Sequence, residues 1–233
     1  MKKKKFYLFF KRLLDIICSF LAIIVFAIPM LIVAIAIKCD SKGPILFKQE
    51  RVGKNKKLFK IWKFRSMYID TDPNAPTRDL HNADSHITRV GRFIRKTSID
   101  ELPQLFNILF GKMSVVGPRP VLMVEHELIQ ERDRYGANDI RPGLTGLAQI
   151  SGRDVLNAED KAKLDGEYVK KMSLIMDIKL IFKTIGVVFK QEGVVEGDKV
   201  KEKSLPQASF ESPHTAPSES SEENAEDKQV VHN

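Results

Sequence analysis

Cysteine is nearly absent: the 233 residues contain two, Cys18 and Cys39, along with a single tryptophan. Two thiols that bracket an apolar segment, without metal-type or framework spacing, exclude a disulfide-stapled secreted domain and a cysteine-ligated metal module. Both are expected as free thiols. Acidic residues are a minority until the chain nears its end. The net charge is +8, but residues 201–233 hold three Lys against seven Asp/Glu, which leaves a formal +12 on the remainder. A basic body suits phosphorylated substrates, anionic lipid or nucleic acid, and an adjacent apolar segment favours the first two. Nucleic acid is not expected as a partner. Internal repeats are also lacking, and the length suits one core with appendages rather than two ordinary domains.

What is present begins with an uncharged run from Ile16 to Ile37, IICSFLAIIVFAIPMLIVAIAI. At about 1.5 Å per helical residue it is long enough for a hydrocarbon core of about 30 Å. It exceeds the apolar stretch of a secretory signal and lacks a small-residue cleavage site before Lys38, so it is expected to be retained. Both flanks are cationic: Lys2 to Lys5, Lys11 and Arg12 precede it, and Lys38, Lys42, Lys48, Arg51, Lys54, Lys56 and Lys57 follow. Positive charge favours the cytoplasm, so both ends are expected there. Pro29 removes a backbone donor and clashes with the carbonyl of Val25, which predicts a bend. A re-entrant helical hairpin with arms of roughly a dozen residues, about 18 Å each, satisfies both constraints. The alternative is a single kinked transmembrane helix.

The expected fold is α+β and mostly helical: a monotopic membrane protein with a small cytoplasmic catalytic domain. The expected boundaries are a basic segment over 1–12, the membrane helix over 13–38, the catalytic domain over 39–197, and a tail over 198–233. That tail is Ser/Glu/Pro-rich and too poor in apolar residues to build a core, so it is expected to be disordered and available to a partner protein. Short strands are expected at Ile45–Phe47 and Leu58–Phe64 around a basic loop, followed by a mobile loop from Asp70 to Ala83. Leu102, Leu105, Phe106 and Leu109 mark an amphipathic helix ending near Gly111. Further helices are expected over Val121–Arg134 and Ala158–Lys171, with a Gly/Pro-punctuated loop from Gly136 to Gly152 between them. Over 177–190, Ile178, Ile181, Phe182, Ile185, Val188 and Phe189 share a helical face, which suits either an interfacial membrane helix or ordinary core packing.

Three segments carry candidate chemistry. In Arg95-Lys96-Thr97-Ser98-Ile99-Asp100-Glu101 two adjacent carboxylates follow a pair of cations at an expected helix start, where oriented N–H groups and the nearby cations favour the ionised Asp100 as nucleophile or metal ligand and attract phosphate. Ser98 and Glu101 equally have the spacing of a capping box, which needs no catalytic role. Val116-Gly117-Pro118-Arg119-Pro120 holds one guanidinium on a restricted backbone, suited to gripping phosphate or to a plain turn. Arg141-Pro142-Gly143-Leu144-Thr145-Gly146-Leu147-Ala148-Gln149-Ile150-Ser151-Gly152-Arg153 combines three glycines with two arginines suited to anions.

Taken in order, KRLLDIICSF, FKQERVGKNKKLFKIWKFRSM, TSIDELPQLFNILFGKMSVVGPRP and RPGLTGLAQISGRD resemble the bacterial sugar transferases, the monotopic phosphoglycosyl transferases, over about residues 7 to 195. The resemblance implies a two-step Mg²⁺-dependent reaction of a UDP-sugar with undecaprenyl phosphate at the cytoplasmic face of the bacterial membrane, initiating capsule, exopolysaccharide or other surface-glycan assembly. It implies Asp100 as nucleophile and metal ligand and Glu101 as its catalytic partner. It also implies Arg95 and Arg119 on phosphate oxygens and Arg141 and Arg153 on the nucleotide or diphosphate, with Lys63 and Arg65 as further substrate contacts. A hexose such as glucose or galactose is weakly favoured. One departure is that relatives commonly bend the membrane helix at a Ser-Pro pair, whereas this chain has Ile28-Pro29. A membrane-bound Mg²⁺ phosphohydrolase and a non-enzymatic lipid-binding adaptor are the competing expectations.

Overall fold

The computed structural model describes residues 2–72, 83–152 and 156–190, with side chains from Phe6 to Val187 within those ranges. Helices dominate, as expected, with four short strands among the described residues. The expected loop from Asp70 to Ala83 falls largely outside the described residues, and the expected tail falls wholly outside them.

Helix α1 spans Lys2–Asp40, with Pro29 inside it and no loop dividing it into two arms. The stretch from Phe6 to Asp40 is long and apolar enough to cross a membrane. Its outward face is exposed apolar surface, including Phe9, Phe20, Ile24, Val25, Ile28 and Ile32. Its inward stripe rests on the folded body at both ends. Near the start, Tyr7 Oη and Lys11 Nζ donate to Asp177 at 2.9 and 2.8 Å. Asp15 is buried and accepts from Ser114 Oγ and the Val115 N–H at 3.0 and 2.9 Å. Past Pro29, Val33 and Ile37 are buried with Phe64 and Ile94. Contacts at 7, 11, 15, 22, 30, 33 and 37 follow the helical repeat, so a single stripe makes them all.

Strands β1 (Leu46–Val52) and β2 (Leu58–Phe64) form the expected hairpin, antiparallel with Phe47 opposite Lys63, Gln49 opposite Ile61 and Arg51 opposite Phe59. Because strand side chains alternate, these six residues share one face. Phe59 and Ile61 bury against Leu105, Ile108 and Met113. Helix α3 (Gln104–Leu109) is tied to the hairpin by buried Asn107, which accepts from the Trp62 N–H and donates to the Lys60 carbonyl, both at 2.9 Å. Helix α2 (Arg89–Lys96) starts at Thr88, whose hydroxyl accepts from the Gly91 N–H at 2.9 Å in an N-cap.

The Gly136–Gly152 segment is more ordered than expected. It contains β4 (Gly143–Thr145), parallel to β3 (Ser114–Val116), and a short helix α5 (Leu147–Ser151). Gly117 N–H donates to the Thr145 carbonyl and Gly143 N–H to the Pro118 carbonyl, each at 2.8 Å. A Cβ on Gly117 would lie 2.6 Å from the Arg141 carbonyl oxygen, and one on Gly146 would overlap the Gly117 carbonyl oxygen. These glycines permit backbone to lie on backbone. Helix α4 spans His126–Arg134, five residues shorter than expected, because Val121 accepts from the Val52 N–H and extends the end of β1. Helix α6 spans Ala158–Lys171 as expected, and α7 spans Leu174–Lys190. In α7, Leu180 is buried while Ile175, Ile178, Phe182 and Ile185 are exposed, so its apolar surface exceeds what the body covers.

Since the nearest atom met by the added methyl is a backbone oxygen, that of Gly117, with the Gln149 side chain also in the way, Gly146→Ala is expected to destabilise the fold by about 1–3 kcal/mol, lowering Tm by several degrees in thermal melts. A melt unchanged within a degree would show that the loop yields freely.

Candidate active site

Asp100 and Glu101 lie in a single 3-10 turn, Ile99–Glu101, that precedes α3. Ser98 before it has φ 56°, a left-handed conformation that a residue with a Cβ adopts at some cost, and its side chain makes no capping bond. The expected capping box is therefore not formed. The expected helix-start field is weak too, because a three-residue turn aligns few peptide dipoles. The neighbouring cations, expected to act in the same sense, supply the positive charge, yet burial outweighs them, so the ionised form of Asp100 is disfavoured rather than favoured as expected.

Asp100 is 7% exposed. Burial pushes its carboxyl up to about 6, Glu101 pushes the same way, and Lys63, Arg95 and Arg119 pull against them. These cations come from three elements. Lys63, on the inner face of β2, reaches Glu101 Oε1 at 2.7 Å. Arg119, in the loop after β3, lies 3.6 Å from the same oxygen and remains half exposed. Arg95, in the last turn of α2, also reaches Ser66 Oγ at 3.5 Å. The result is a buried carboxyl beside a paired one, ringed by three cations.

Other expected contacts are placed elsewhere. Arg65 is buried, and its guanidinium donates to the carbonyls of Lys42 and Ser41 at 2.8 and 2.7 Å and to Ser41 Oγ at 2.8 Å, closing the C-terminal end of α1. Arg141 donates through Nε to the Gly111 carbonyl at 2.9 Å, beyond the end of α3 opposite to the dyad. Arg153 lies outside the described residues.

Two features of the site were not expected. Arg51 and Gln49 share the sheet face of Lys63, a relation that strand alternation makes readable once the register is known. Arg51 donates to Gln49 Oε1 at 3.0 and 2.6 Å and to the Pro120 carbonyl at 3.4 Å. Burial pulls its guanidinium down to about 10 and Arg119 acts in the same sense, while Glu125 and Glu101 oppose, so it stands among the charges of the site. The second is a buried pair in which Arg132 holds Asp165 at 2.6 and 2.8 Å and donates to the Arg119 carbonyl at 2.9 Å. Through it α4 and α6 fix the backbone that carries Arg119.

Among the described residues no cluster of three or more His, Cys, Asp or Glu side chains is suited to enclosing a metal ion. Mg²⁺, however, is commonly held by one or two carboxylates together with substrate phosphates. Adjacent Asp100 and Glu101 fit that kind of site.

A model of the bacterial sugar transferase family matches residues 6–191. The chain is 43% identical to an undecaprenyl-phosphate glucose phosphotransferase of Komagataeibacter xylinus over 75% of its own length and 35% of that protein's. It is 41% identical to an undecaprenyl-phosphate galactose phosphotransferase of Salmonella typhimurium, over 79% of this chain and 41% of that one. An exopolysaccharide production protein, PSS, of Rhizobium leguminosarum bv. phaseoli is 45% identical over 75% of this chain and 92% of its own length. The chain thus spans about two fifths of several curated relatives it matches and nearly all of another.

The raised Asp100 carboxyl has a consequence for stability. Between about pH 4 and 6 the native chain holds a proton there that the unfolded chain has released, so the group lowers stability fully above pH 6 and not below pH 4. Asp100→Asn is expected to be ~1–3 kcal/mol more stable than the parent at pH 8, the gain shrinking as pH falls toward 4. Thermal unfolding of both proteins in EDTA across that range checks it.

Proposed function

This chain belongs to the bacterial sugar transferase family, and from that membership and the geometry of its acidic dyad we propose that it transfers a sugar-1-phosphate from a UDP-sugar to undecaprenyl phosphate. The single observation that carries the mechanism is the buried Asp100 carboxyl surrounded by Lys63, Arg95 and Arg119. Substrate phosphate drawn to these cations meets a carboxylate oxygen whose burial has stripped it of water and made it more basic than an exposed aspartate.

In the first half-reaction an Asp100 oxygen attacks the sugar-bearing phosphorus, the bond from that phosphorus to the bridging oxygen breaks, and UMP leaves with its electron pair. The chain then carries the sugar phosphate on Asp100 as an aspartyl phosphate, a mixed anhydride. In the second, a phosphate oxygen of undecaprenyl phosphate attacks the same phosphorus and displaces Asp100, giving a lipid diphosphate sugar and the free carboxylate. Arg119, half exposed, is suited to follow the phosphate oxygens, while Lys63 holds Glu101 beside the nucleophile. Asp100, with Glu101 beside it, would hold Mg²⁺, which would supply charge neutralisation at the diphosphate. Glucose and galactose both occur in the names of relatives, and a hexose is the favoured cargo. The product would begin assembly of capsule, exopolysaccharide or another surface glycan.

The proposed seating is monotopic, at the cytoplasmic face. Its support is that Tyr7 and Lys11 at one end of α1 and Val33 and Ile37 at the other all contact the same folded body, so a straight crossing would separate partners that touch. Pro29 and the two cationic flanks agree with a re-entrant course. The exposed apolar residues of α7 suit the same interface.

The decisive assay incubates the protein with Mg²⁺, undecaprenyl phosphate and a panel of UDP-sugars. The expected result is UMP release with one donor, a labelled sugar-phosphate adduct on the protein when lipid is left out, and a loss of at least ~10³-fold in Asp100→Asn. Free sugar phosphate without lipid would instead indicate a hydrolase, and undiminished function in Asp100→Asn an adaptor. For the topology, tags at the two ends of the chain are expected to react with impermeant reagents only after the inner membrane is opened; reaction of the N-terminal tag from outside would overturn the monotopic seating.

A further inference from the structure

The outer face of the hairpin carries an aromatic group that neither the dyad nor the core uses. Trp62 is half-buried, with ring centroids 6.2 Å from Phe106 and 6.3 Å from Phe110. Phe110, the residue after α3, is 64% exposed. Lys48, opposite Trp62 in the register, places its ammonium 5.1 Å from the ring centroid. Asn107 binds the Trp62 backbone to α3, so the hairpin and the helix present these rings as one rigid surface.

The same surface adjoins the membrane segment at a defined level. Arg12 donates to the carbonyls of Ile108 and Leu109 at 2.7 and 2.8 Å, and Arg141 donates to Gly111, so two guanidinium groups stand beside Phe110. Arg12 also belongs to the cationic flank just before the apolar run that starts at Ile16. Cations in that position stay at phosphate depth while the apolar run enters the lipid. Rings held next to Arg12 therefore lie at the boundary between headgroups and acyl chains, where indole and phenyl rings concentrate.

We propose that Trp62, Phe106 and Phe110, with Lys48, Arg12 and Arg141 around them, form a second membrane contact that seats the hairpin in the headgroup region of an anionic phospholipid bilayer. The proposal rests on the membrane seating of α1 given above and adds a fixed orientation to it. Helix α1 by itself leaves the body free to rock about the helix axis. A second contact on the hairpin stops that rotation and holds Lys63, on the opposite face of the same strand, at a constant height above the lipid surface. The charge matches the occupant: cations around aromatic rings suit lipid phosphates at an anionic surface.

Trp62 is the only tryptophan in the chain, so intrinsic fluorescence reports on this surface alone. The full chain is reconstituted in vesicles of phosphatidylglycerol and phosphatidylcholine, with bromine placed on the acyl chains either near the headgroup or near the chain end. The expected result is roughly two-fold quenching by shallow bromine, weaker quenching by deep bromine, and shielding from aqueous acrylamide. Lys48→Glu is expected to reduce the shallow quenching in anionic vesicles. Asp100→Asn is expected to leave it unchanged.

Vesicles that float with the protein while Trp62 stays unquenched and open to acrylamide would overturn the proposal and leave the seating of α1 intact; failure to float would overturn both. Quenching that disappears on adding undecaprenyl phosphate would assign the surface to the polyprenyl chain of the substrate, and quenching that varies with protein density would assign it to a second copy. Either result replaces the bilayer as occupant.

Discussion

The arrangement turns on one unfavourable placement: a carboxyl group taken out of water. Asp100 is held away from solvent, where its ionised form is disfavoured, and the surrounding fold brings cations to it from separate elements. Lys63 requires the hairpin in its observed register, Arg95 requires α2 packed beside the exit of β2, and Arg119 requires the loop after β3 to lie close to Gly146. Each condition is met by non-local packing. The buried Arg132–Asp165 pair extends the same dependence into α4 and α6, since it fixes the carbonyl of the residue that carries Arg119. A protein built in this way tolerates surface exchange well and tolerates changes at its internal contacts poorly.

Much of the fold was legible because local pattern and tertiary outcome agree. The hairpin, α6 and the apolar face of α7 follow from alternation and helical repeat, and the long apolar segment follows from its length alone. The acidic dyad and its neighbouring cations are legible in the sequence, but the burial that dominates at Asp100 and the conformation of its turn are not. Spacing suggested a capped helix start, whereas Ser98 adopts a left-handed conformation and the turn is too short for a useful dipole. Arginine was the least legible residue type. Arg65 and Arg141 look like anion ligands in the sequence, yet both serve carbonyl groups at helix ends, a role that depends on elements brought together from far along the chain. Arg51 escaped notice for the opposite reason: in a run of basic residues, only the register with Phe59 reveals which side chain turns inward.

The glycine-rich segment illustrates a related ambiguity. Its composition suggests a loop that lets backbone approach a phosphate, but Gly143 and Gly146 admit another stretch of protein backbone, that of Gly117 and Pro118. The steric requirement is the same in both cases, and sequence does not say which backbone or ligand meets it. Here it joins two separate motifs into one support for the site.

The contacts at the start of α1 also impose an order on synthesis. Tyr7 and Lys11 find their partner at Asp177, and Asp15 finds its partners at Ser114 and Val115. The apolar helix is made well before its partner, because a ribosome adding about 5–20 residues per second still has roughly seven to thirty seconds of translation between Asp40 and Asp177. During that interval Lys11 and Asp15, four residues apart on one helical face, are placed to neutralise one another. In the folded chain Asp15 is bonded to β3 and Lys11 to α7, so a helix made early serves as the beam to which later-made segments attach.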